Sequence, residues 1–513
     1  MFLKSKTIVV ALFGLFTAGT LQAQNNSSQL TIEKIMRDPK WIGIAPSNIF
    51  WSEDGKKLYF NWNPEGNRRD SLYAVNADGK NIRQVSAKER RALPTMYGAY
   101  NRAKTQKVYE NSGDIFLLDV KSGKVTQVTN TVERESNPAF TFDEQEVTFI
   151  KDSNLYAWSI KNGQLVQLTD FRKSRKAADG EEKDPQRVWL RQQQLSLLTI
   201  VKERDADQKA LKKQQKLDAP ARPLDIYVED KQVSGVTLSP DEQFITYSLI
   251  SRPKNAKVAI VPDFVTASGY TEDINTRTKV GDAQSTSEFF VYDIKRDTSF
   301  AVSMKEVEGI YEVPAYLQAG NKKASVARDA ADTKTKKAEL RAASIYGPYW
   351  SENGKHAVVV ARAADNKDRW ILGLDPATGK LSLLDRQHDD AWINGPGISY
   401  GAGDIGWMPD NESVWFHSEE SGYSHLYALN VKTGKKKALT RGKFEVSDVQ
   451  LSKDKKHFYF TANKVHPGER HFYKMPVNGG EMVQLTTLPG AYEVELSPDE
   501  KMLAFRYSYS NKP

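Results

Sequence analysis

The sequence predicts an all-β protein, an eight-bladed β-propeller whose last blade is incomplete, with two charged, partly helical insertions. Three observations lead to this prediction. A turn signature recurs along the chain, a hairpin signature alternates with it, and the best-kept copies are evenly spaced. Asp410 and Asp454 are 44 residues apart, and Asp454 and Asp499 are 45 apart. A four-stranded propeller blade takes roughly 40 to 45 residues, whereas a β-sandwich does not predict one fixed order repeated along the chain.

The turn signature has Asp or Asn two residues after a Ser, Thr or Met, with Pro or Gly in several copies, and Pro, Asp, Asn and Gly preset the dihedral angles of tight turns. Its clear copies occupy residues 52–55, 141–144, 239–242, 351–354, 408–411, 452–455 and 497–500. A degenerate eighth copy lies near Lys104. The segments that follow, such as 57–60 and 146–149, are rich in β-branched and aromatic residues, which favour pleated strands.

The hairpin signature is a strand, then a turn of Asn, Asp or Gly, then a second strand. Its seven copies begin with the strands 72–75, 115–118, 155–158, 289–292, 370–373, 426–429 and 472–475. Because the turn signature occurs eight times and the hairpin signature seven, we expect the last blade to be unfinished. Radial closure of the blades would leave no long sheet edge exposed.

The spacing widens twice, which predicts two insertions. Residues 172–222 are charge-dense, and apolar residues recur at helical spacing over 187–216, so this segment is expected to dock a partner domain or to lie in solvent. Residues 320–343 are rich in Lys and Ala, which predicts a short helix or a loop. The propeller is expected over 46–513, after an N-terminal segment at 24–45.

Residues 1–23 have the features of a secretory signal peptide. Lys4 and Lys6 precede an apolar stretch at 8–16, and Ala23 is a small residue suited to cleavage. The stretch is far shorter than the roughly 20 residues that span a bilayer, so we expect no membrane span after cleavage. The location expected is the periplasm or the outside of the cell.

The composition narrows the classes of partner. The chain has no Cys, which excludes disulfides and thiolate ligands. Its net charge is +8, with lysine runs at 435–437 and 455–456, but no basic helix or aromatic-lined groove accompanies them. We therefore expect no nucleic acid partner, and a homodimer is left open.

Several segments resemble one known family. Residues 419–427, Glu-Glu-Ser-Gly-Tyr-Ser-His-Leu-Tyr, and the strands after them resemble the late propeller blades of the dipeptidyl peptidase IV branch of the prolyl oligopeptidase family. Residues 278–281, 288–293, 366–370 and 389–393 are similar to further segments of that branch. The likeness runs over about 41–513. In such relatives the final blade continues into an α/β-hydrolase domain with Ser, Asp and His, which is expected to be absent from this sequence.

One short motif imitates a catalytic nucleophile. Residues 397–401, Gly-Ile-Ser-Tyr-Gly, match the G-x-S-x-G elbow of α/β-hydrolases. The elbow requires a strand before the Ser, a helix after it, and a base within hydrogen-bond reach. The neighbours of Ser399 instead predict a Gly-rich loop. Ser399 is therefore interpreted as a decoy, and no catalytic residue is expected in this chain.

The resemblance also directs attention to Glu229 and Asp230. Dipeptidyl peptidases of the branch bind the free N-terminus of the substrate with a Glu-Glu pair shortly before a Ser-Pro-Asp turn, and a carboxylate pair suits an ammonium group. Glu229 and Asp230 occupy the matching stretch as a loose substitute, and a solvated pair at a strand end is the alternative. Glu181 and Glu182 lack the matching flanks. No histidine spacing predicts a metal site, and no phosphate loop or other cofactor site is recognised.

The resemblance implies the N-terminal, substrate-gating propeller of a secreted serine peptidase, an exopeptidase or oligopeptidase that acts on short peptides. Peptide substrate would then reach this region through the hydrolase domain, and this chain alone is expected to catalyse nothing. The alternative is a free-standing periplasmic propeller that binds protein or glycan. A fold likeness does not by itself assign an activity.

Overall fold

The computed structural model describes residues 31–32, 45–67, 69–174, 184–218, 222–279, 282–312, 340–398 and 400–509. The chain divides into two compact units. Unit 1 contains the described residues up to Leu93 together with Val494–Arg506, and unit 2 contains Pro94–Glu493 with the residues from Tyr507 on. Among the described helices, none is long and apolar enough to cross a membrane.

Four-stranded antiparallel sheets with their strands in chain order form the seven detected blades of a β-propeller arrangement. Blade 1 is β1 (Ser47–Trp51), β2 (Lys57–Trp62), β3 (Ser71–Asn76) and β4 (Arg83–Gln84), and the short helix α1 (Ala87–Ala92) follows it. Blade 2 is β5 (Ala99–Tyr100), β6 (Gln106–Asn111), β7 (Asp114–Asp119) and β8 (Val125–Gln127). Blade 3 is β9 (Glu135–Phe140), β10 (Glu146–Lys151), β11 (Asn154–Ser159) and β12 (Leu165–Gln167).

Two insertions lie near blade 4. One precedes its first strand, and the other lies between its two middle strands. The parallel pair β13 (Asp170–Arg172) and β14 (Asp225–Tyr227) brackets the helices α2 (Pro185–Leu197) and α3 (Thr199–Asp218). Blade 4 is β15 (Gln232–Leu238), β16 (Phe244–Ser251), β19 (Thr286–Asp293) and β20 (Thr298–Ala301). Between its middle strands stands a hairpin of β17 (Val258–Asp263) and β18 (Glu272–Thr278), which we call the β-arm.

The remaining blades have no comparable insertion within their sheets. Blade 5 is β21 (Ala343–Trp350), β22 (Ala357–Ala363), β23 (Asp368–Asp375) and β24 (Lys380–His388). Blade 6 is β25 (Ile405–Trp407), β26 (Ser413–Ser418), β27 (His425–Asn430) and β28 (Lys436–Ala438). Blade 7 is β29 (Val446–Leu451), β30 (His457–Ala462), β31 (His471–Pro476) and β32 (Val483–Gln484).

The sequence prediction of β-blades is confirmed for the seven four-stranded sheets. The last turn signature instead joins β33 (Ala491–Leu496) to β34 (Leu503–Ser508), which form a sheet of two strands. Within unit 1, Trp51 at the end of β1 donates its indole N–H to the carbonyl of Glu495 (3.1 Å). The helical spacing over 187–216 corresponds to α2 and α3. Most of the predicted insertion at 320–343 and of the N-terminal segment at 24–45 lies outside the described residues.

The turn signature recurs because two of its side chains organise the turn. In the first copy Ser52 Oγ donates to Asp54 Oδ1 (2.7 Å) and accepts the backbone N–H of Lys57 (2.9 Å). The carboxylate also accepts the N–H of Lys56 (3.1 Å). The same hydroxyl-to-acceptor bond recurs at Thr141–Asp143, Ser239–Asp241, Ser351–Asn353, Ser452–Asp454 and Ser497–Asp499. These bonds give the turn backbone local partners.

Stacked aromatic rings hold the two middle strands of most blades together. In six blades, directly paired residues of these strands stack with ring centroids 5.2–6.2 Å apart. The pairs are Phe60–Tyr73, Tyr109–Phe116, Phe149–Tyr156, Tyr247–Phe290, Phe416–Tyr427 and Phe460–Tyr473. In blade 5 the corresponding pair is Ala361 and Trp370. Such cross-strand pairs stabilise a sheet beyond backbone pairing.

Blade 5 contains a buried ionic cluster centred on Asp368. The completely buried carboxylate accepts hydrogen bonds from Arg341 Nη1 (2.6 Å) and Arg386 Nε (3.0 Å), and His388 Nδ1 lies 2.9 Å away. Arg341 also binds both carboxylate oxygens of Asp365 at 3.0 Å. Burial by itself raises the pKa of Asp368, but the hydrogen bonds from Arg341, His388 and Arg386 outweigh it and lower that pKa below its ordinary value.

Candidate functional site

Glu229 and Asp230 lie in a tight turn that a buried platform supports. β13 and β14 pair in parallel, and the N–H of Val228 then donates to the carbonyl of Arg172 (2.9 Å). Val228 is buried together with Phe171 from β13 and Ile226 from β14. The apolar residues thus fix the place of the turn.

The turn itself has a backbone shape that exposes its two central residues. The N–H of Lys231 donates to the carbonyl of Val228 (3.0 Å), which leaves Glu229 and Asp230 between them. Glu229 has a φ of +53°, in the left-handed region that residues other than Gly adopt uncommonly. Both carboxylates lie on the exposed surface.

A cavity of about 300 Å³ opens beside this turn. Its wall combines three acidic residues, two lysines and an apolar base. The lining residues are Asp152, Ser153, Phe171, Lys173, Val228, Glu229, Asp230, Lys231, Gln232 and Val233. Asp152 and Ser153 form the turn between β10 and β11, so the cavity draws on blade 3 and on the start of blade 4. A small ligand with a positive and a negative end would meet partners for both charges here.

Lysines partly balance the acidic pair. Lys254 Nζ lies 2.9 Å from Asp230 Oδ2, and both side chains are exposed, at 83% and 65%. The hydrogen bond to Asp230 raises the pKa of Lys254 above its ordinary value. Lys231 pairs with Glu288 of β19. Solvent weakens exposed ion pairs of this kind, so a ligand ammonium could displace Lys254 at little cost. Glu181 and Glu182 lie outside the described residues.

The segment around the G-x-S-x-G motif is a loop held from beneath by two buried arginines. Ser399 lies outside the described residues. Arg362 Nη1 donates to the carbonyl of Ile398 (2.7 Å), and Arg369 Nε and Nη2 donate to that of Ala402 (3.0 and 2.7 Å). Among the described residues from 389 to 404 there is neither strand nor helix, and β25 begins at Ile405. The described flanks are those of a loop.

A serine, a histidine and an aspartate do come together beneath this loop, which the sequence reasoning missed. Ser424 Oγ lies 3.2 Å from His417 Nδ1, and His417 Nε2 lies 3.7 Å from Asp404 Oδ2. The glycine at position 397 is the sequence feature that reflects this contact. A Cβ there would lie 2.5 Å from the imidazole Cδ2 of His417, so a larger residue would clash with the ring.

This arrangement is structural rather than nucleophilic. Ser424 and His417 are completely buried, and Ser424 Oγ donates its proton to the carbonyl of Pro396 (2.7 Å). Burial, reinforced by Arg369 and His425, lowers the pKa of His417 to about 3, so the imidazole stays neutral. A substrate carbonyl cannot reach the Ser424 hydroxyl, and general-base catalysis needs that contact. The group holds the Gly-rich loop against blade 6.

Within the parts of the chain that the structure describes, no cluster of three or more His, Asp or Glu side chains could hold a metal ion. The candidate site is therefore the cavity beside Glu229 and Asp230, whose chemistry rests on charge and hydrogen bonding.

The sequence matches one family model, described as the dipeptidyl peptidase IV (DPP IV) N-terminal region, over residues 99–180 and 226–513. This range holds blades 2 to 7 and leaves out α2 and α3. It includes the turn with Glu229 and Asp230.

Among curated proteins, the chain is similar to a probable dipeptidyl peptidase 4 of Aspergillus fumigatus, with 29% identity over 150 residues, which are 28% of this chain and 20% of the relative. A dipeptidyl peptidase 4 of Trichophyton rubrum is 31% identical over 140 residues, 26% of this chain and 18% of the relative. The crystal structure of Porphyromonas gingivalis dipeptidyl peptidase 4 aligns with a TM-score of 0.49 at 14% identity, over 94% of this chain and 59% of that one. The matched region is thus only part of each relative's length.

Proposed function

The chain belongs to the family of dipeptidyl peptidase IV N-terminal regions, and we propose on that basis that it is the substrate-gating propeller of a secreted serine peptidase acting on short peptides. The observation that carries the proposal is the family match across blades 2 to 7. The relatives are dipeptidyl peptidases by name, and a role for this chain in the same class of reaction is inferred from that kinship.

In this proposal the propeller selects the substrate and a hydrolase domain performs the cleavage. The buried position of Ser424 supports such a division, because the one Ser–His–Asp group in the described part of the chain is closed to substrate. Ser399 stays predicted to be inert. We further propose that β33 and β34 are the first half of an eighth blade. Export to the periplasm or the outside and a homodimeric state stay predictions.

We propose that Glu229 and Asp230 receive the ammonium group of a peptide. Three features of the turn support this role. Both carboxylates are exposed, they border a cavity of about 300 Å³, and Asp230 pairs with the solvated Lys254. An ammonium group can therefore take the place of Lys254 without leaving a buried charge unpaired. The cavity lysines Lys173 and Lys231 would face the carbonyl end of the ligand.

Peptide binding to the 513-residue chain tests the proposal. A tripeptide with a free N-terminus should bind more tightly than its N-acetylated form in isothermal titration calorimetry. The double variant Glu229→Gln/Asp230→Asn should lose that preference, because amides form weaker hydrogen bonds with an ammonium group than carboxylates do. The matched control is Asp263→Asn/Glu272→Gln on the β-arm, which should keep it. Equal binding of both peptides would favour the free-standing propeller that binds protein or glycan.

Covalent labelling tests whether this chain contains a reactive serine of its own. A fluorophosphonate probe should leave this chain unlabelled, and a peptide p-nitroanilide should not be hydrolysed. Labelling that disappears in Ser399→Ala would show that the Gly-rich loop carries a working nucleophile. Labelling that disappears only in Ser424→Ala would show that the buried serine becomes accessible.

A further inference from the structure

The helices α2 and α3 form a hairpin that projects from the propeller sheets, and we call residues 184–218 the helical hairpin. Asp184 caps α2 by accepting the N–H of Gln186 (3.0 Å), and Pro185 occupies the first turn. Leu198 has an extended backbone, which ends α2, and α3 begins at the next residue. The chain therefore turns a corner at Leu198.

The two helices fold back on each other around this corner. Arg191 lies seven residues before Leu198 and Asp205 seven after it, and their side chains pair at 2.8 Å. Val188, Leu195 and Val201 are half-buried between the helices. No side chain of α2 is fully buried.

The corner exposes large apolar side chains to solvent. Leu197 is 70% exposed, Leu198 49% and Ile200 64%. On α2, Trp189 and Leu190 are also exposed, and Leu190 and Leu197 are seven residues apart, so they lie on one face of the helix. Monomeric proteins seldom present such a group of apolar residues without a partner.

The charged residues around the corner are positive in excess, although Glu203 and Asp205 follow within the first two turns of α3. No acidic residue occurs between 185 and 202, and the charged residues there are Arg187, Arg191 and Lys202. Arg191 pairs with Asp205, but the same carboxylate also pairs with Lys209 (2.7 Å), so this group of three keeps a positive charge. The whole helical hairpin has eight Lys and Arg against five Asp and Glu.

The β-arm gives a contrast within the same protein. Its tip also exposes apolar side chains, among them Phe264 (76%) and Tyr270 (80%). Its neighbouring charges are Asp263, Glu272 and Asp273, and no Lys or Arg occurs between 258 and 276. The two tips thus share apolar exposure and differ in the sign of their charge.

We propose that the helical hairpin is a peripheral docking element for anionic lipid membranes, with its corner entering the headgroup region and its basic residues contacting lipid phosphates. Trp and Leu on one face with Lys and Arg beside them are typical of helices that bind in a membrane interface. A convex apolar corner suits a fluid phase that adapts to it, whereas a protein partner would need a matching groove. Thirteen residues of α2 are too few to span a bilayer, so the association is superficial and reversible.

The family model leaves out 181–225, so this element is an addition to the propeller. It is also independent of peptide binding. Loss of membrane association would leave the amine preference at Glu229 and Asp230 unchanged, and loss of that preference would leave membrane association unchanged.

Vesicle flotation of the 513-residue chain tests the proposal. Vesicles of phosphatidylcholine with about one third phosphatidylglycerol should carry the protein to the top of a density gradient, and pure phosphatidylcholine vesicles should carry much less. High salt should weaken the association, because screening reduces the attraction of exposed charges. Lys202→Glu should lower the partition coefficient by about five-fold or more, since each basic residue near an anionic surface contributes about that factor and the new carboxylate is repelled.

The apolar part is tested by Leu198→Ser/Ile200→Ser, with Phe264→Ser/Tyr270→Ser on the β-arm as the matched control. The corner variant should lose flotation by roughly ten-fold or more, since buried apolar area is removed, and the arm variant should float like the parent chain. Both pairs are exposed, so neither should change the thermal unfolding of the propeller. The fluorescence of Trp189, obtained as the difference between the parent chain and Trp189→Phe, should shift to the blue with anionic vesicles.

Three outcomes would overturn the proposal. The first is an absence of flotation with phosphatidylglycerol vesicles, and the second is equal flotation of the corner variant and the parent chain. The third is self-association of the parent chain that the corner variant abolishes without any vesicle binding, which would make a second copy of the chain the occupant of the corner.

Discussion

Blade 5 and the Glu229–Asp230 turn hold carboxylates next to cationic side chains in opposite settings. Asp368 is completely buried and pairs with Arg341, Arg386 and His388, whereas Asp230 is 65% exposed and pairs with a lysine that is 83% exposed. Water can replace the partner of Asp230 but not those of Asp368. The pairing of a carboxylate with cationic side chains therefore stabilises blade 5, where it is buried. At the turn, where it is exposed, the same kind of pairing leaves the carboxylates available to a ligand.

The largest expected effect comes from removing the charge at the centre of the blade 5 cluster. Asp368→Asn should destabilise the protein by about 3 kcal/mol, because Arg341 and Arg386 would lose their shared buried carboxylate and keep only Asp365 and the exposed Glu312 as acidic partners. Thermal or urea unfolding measures the change. Asp390→Asn is the matched control, since Asp390 also faces His388 but is 89% exposed. If the two substitutions destabilise the protein equally, burial is not the reason that Asp368 contributes to stability.

Arg369→Met should have the next largest effect. The completely buried guanidinium donates to the carbonyls of Ala402 and His417, and a methionine leaves these acceptors without partners. A cost of about 2 to 3 kcal/mol is expected for such unsatisfied buried groups. The loop near Tyr400, which is 91% exposed, should then be cleaved faster in limited proteolysis. Arg277→Met on the β-arm, where the arginine is exposed, should change neither stability nor cleavage.

Titration of His388, which lies next to the buried Asp368, should make the stability of the protein depend on pH. Burial lowers the pKa of His388, but the hydrogen bond and charge of Asp368 and the hydrogen bond to Asp390 together outweigh this and raise the pKa above 6.5. A group with a raised folded pKa stabilises fully below its unfolded pKa and loses that contribution as pH rises through the folded pKa. The parent chain should therefore unfold at a higher temperature near pH 6 than near pH 8, and His388→Gln should reduce the difference. If His388→Gln shows the same difference in unfolding temperature between pH 6 and pH 8 as the parent chain, a group other than His388 causes it.

The smallest effect on stability should come from the exposed pair. Asp230→Asn should change the free energy of unfolding by less than about 0.5 kcal/mol, as surface substitutions usually do. The same variant should weaken the binding of peptides with a free N-terminus. A large loss of stability would indicate that the turn is part of the structural framework.

The repeated blades were predictable because their causes are local. Six of the turn signatures place a hydroxyl and an acceptor two residues apart, and the structure uses both within the turn, as Ser52 and Asp54 show. The aromatic pairs follow from the same short hairpins. The count of four-stranded sheets agrees with the seven hairpin signatures, and the eighth turn belongs to a sheet of two strands.

The blade 5 cluster and the closed Ser–His–Asp group were not predictable from local patterns. Asp368 and His388 face each other across the β23–β24 hairpin, but Arg341 comes from the segment before β21 and only packing brings it to them. Asp404, His417 and Ser424 likewise gather across a Gly-rich loop and two strands. At the candidate site the sequence indicated Glu229 and Asp230, but the pairing with Lys254 depends on how the long segment between β16 and β19 is placed.

That segment has a consequence for the order of events in folding. Two residues separate β6 from β7, whereas 34 separate β16 from β19. Closing the longer loop costs about 2.5 kcal/mol more in chain entropy, because each doubling of length adds about 0.6 kcal/mol. The β-arm pairs locally within this loop and so shortens the span that remains open. We therefore expect blade 4 to assemble late in folding. The β-arm should form before it, and the rate at which the β-arm forms should limit the rate at which blade 4 forms.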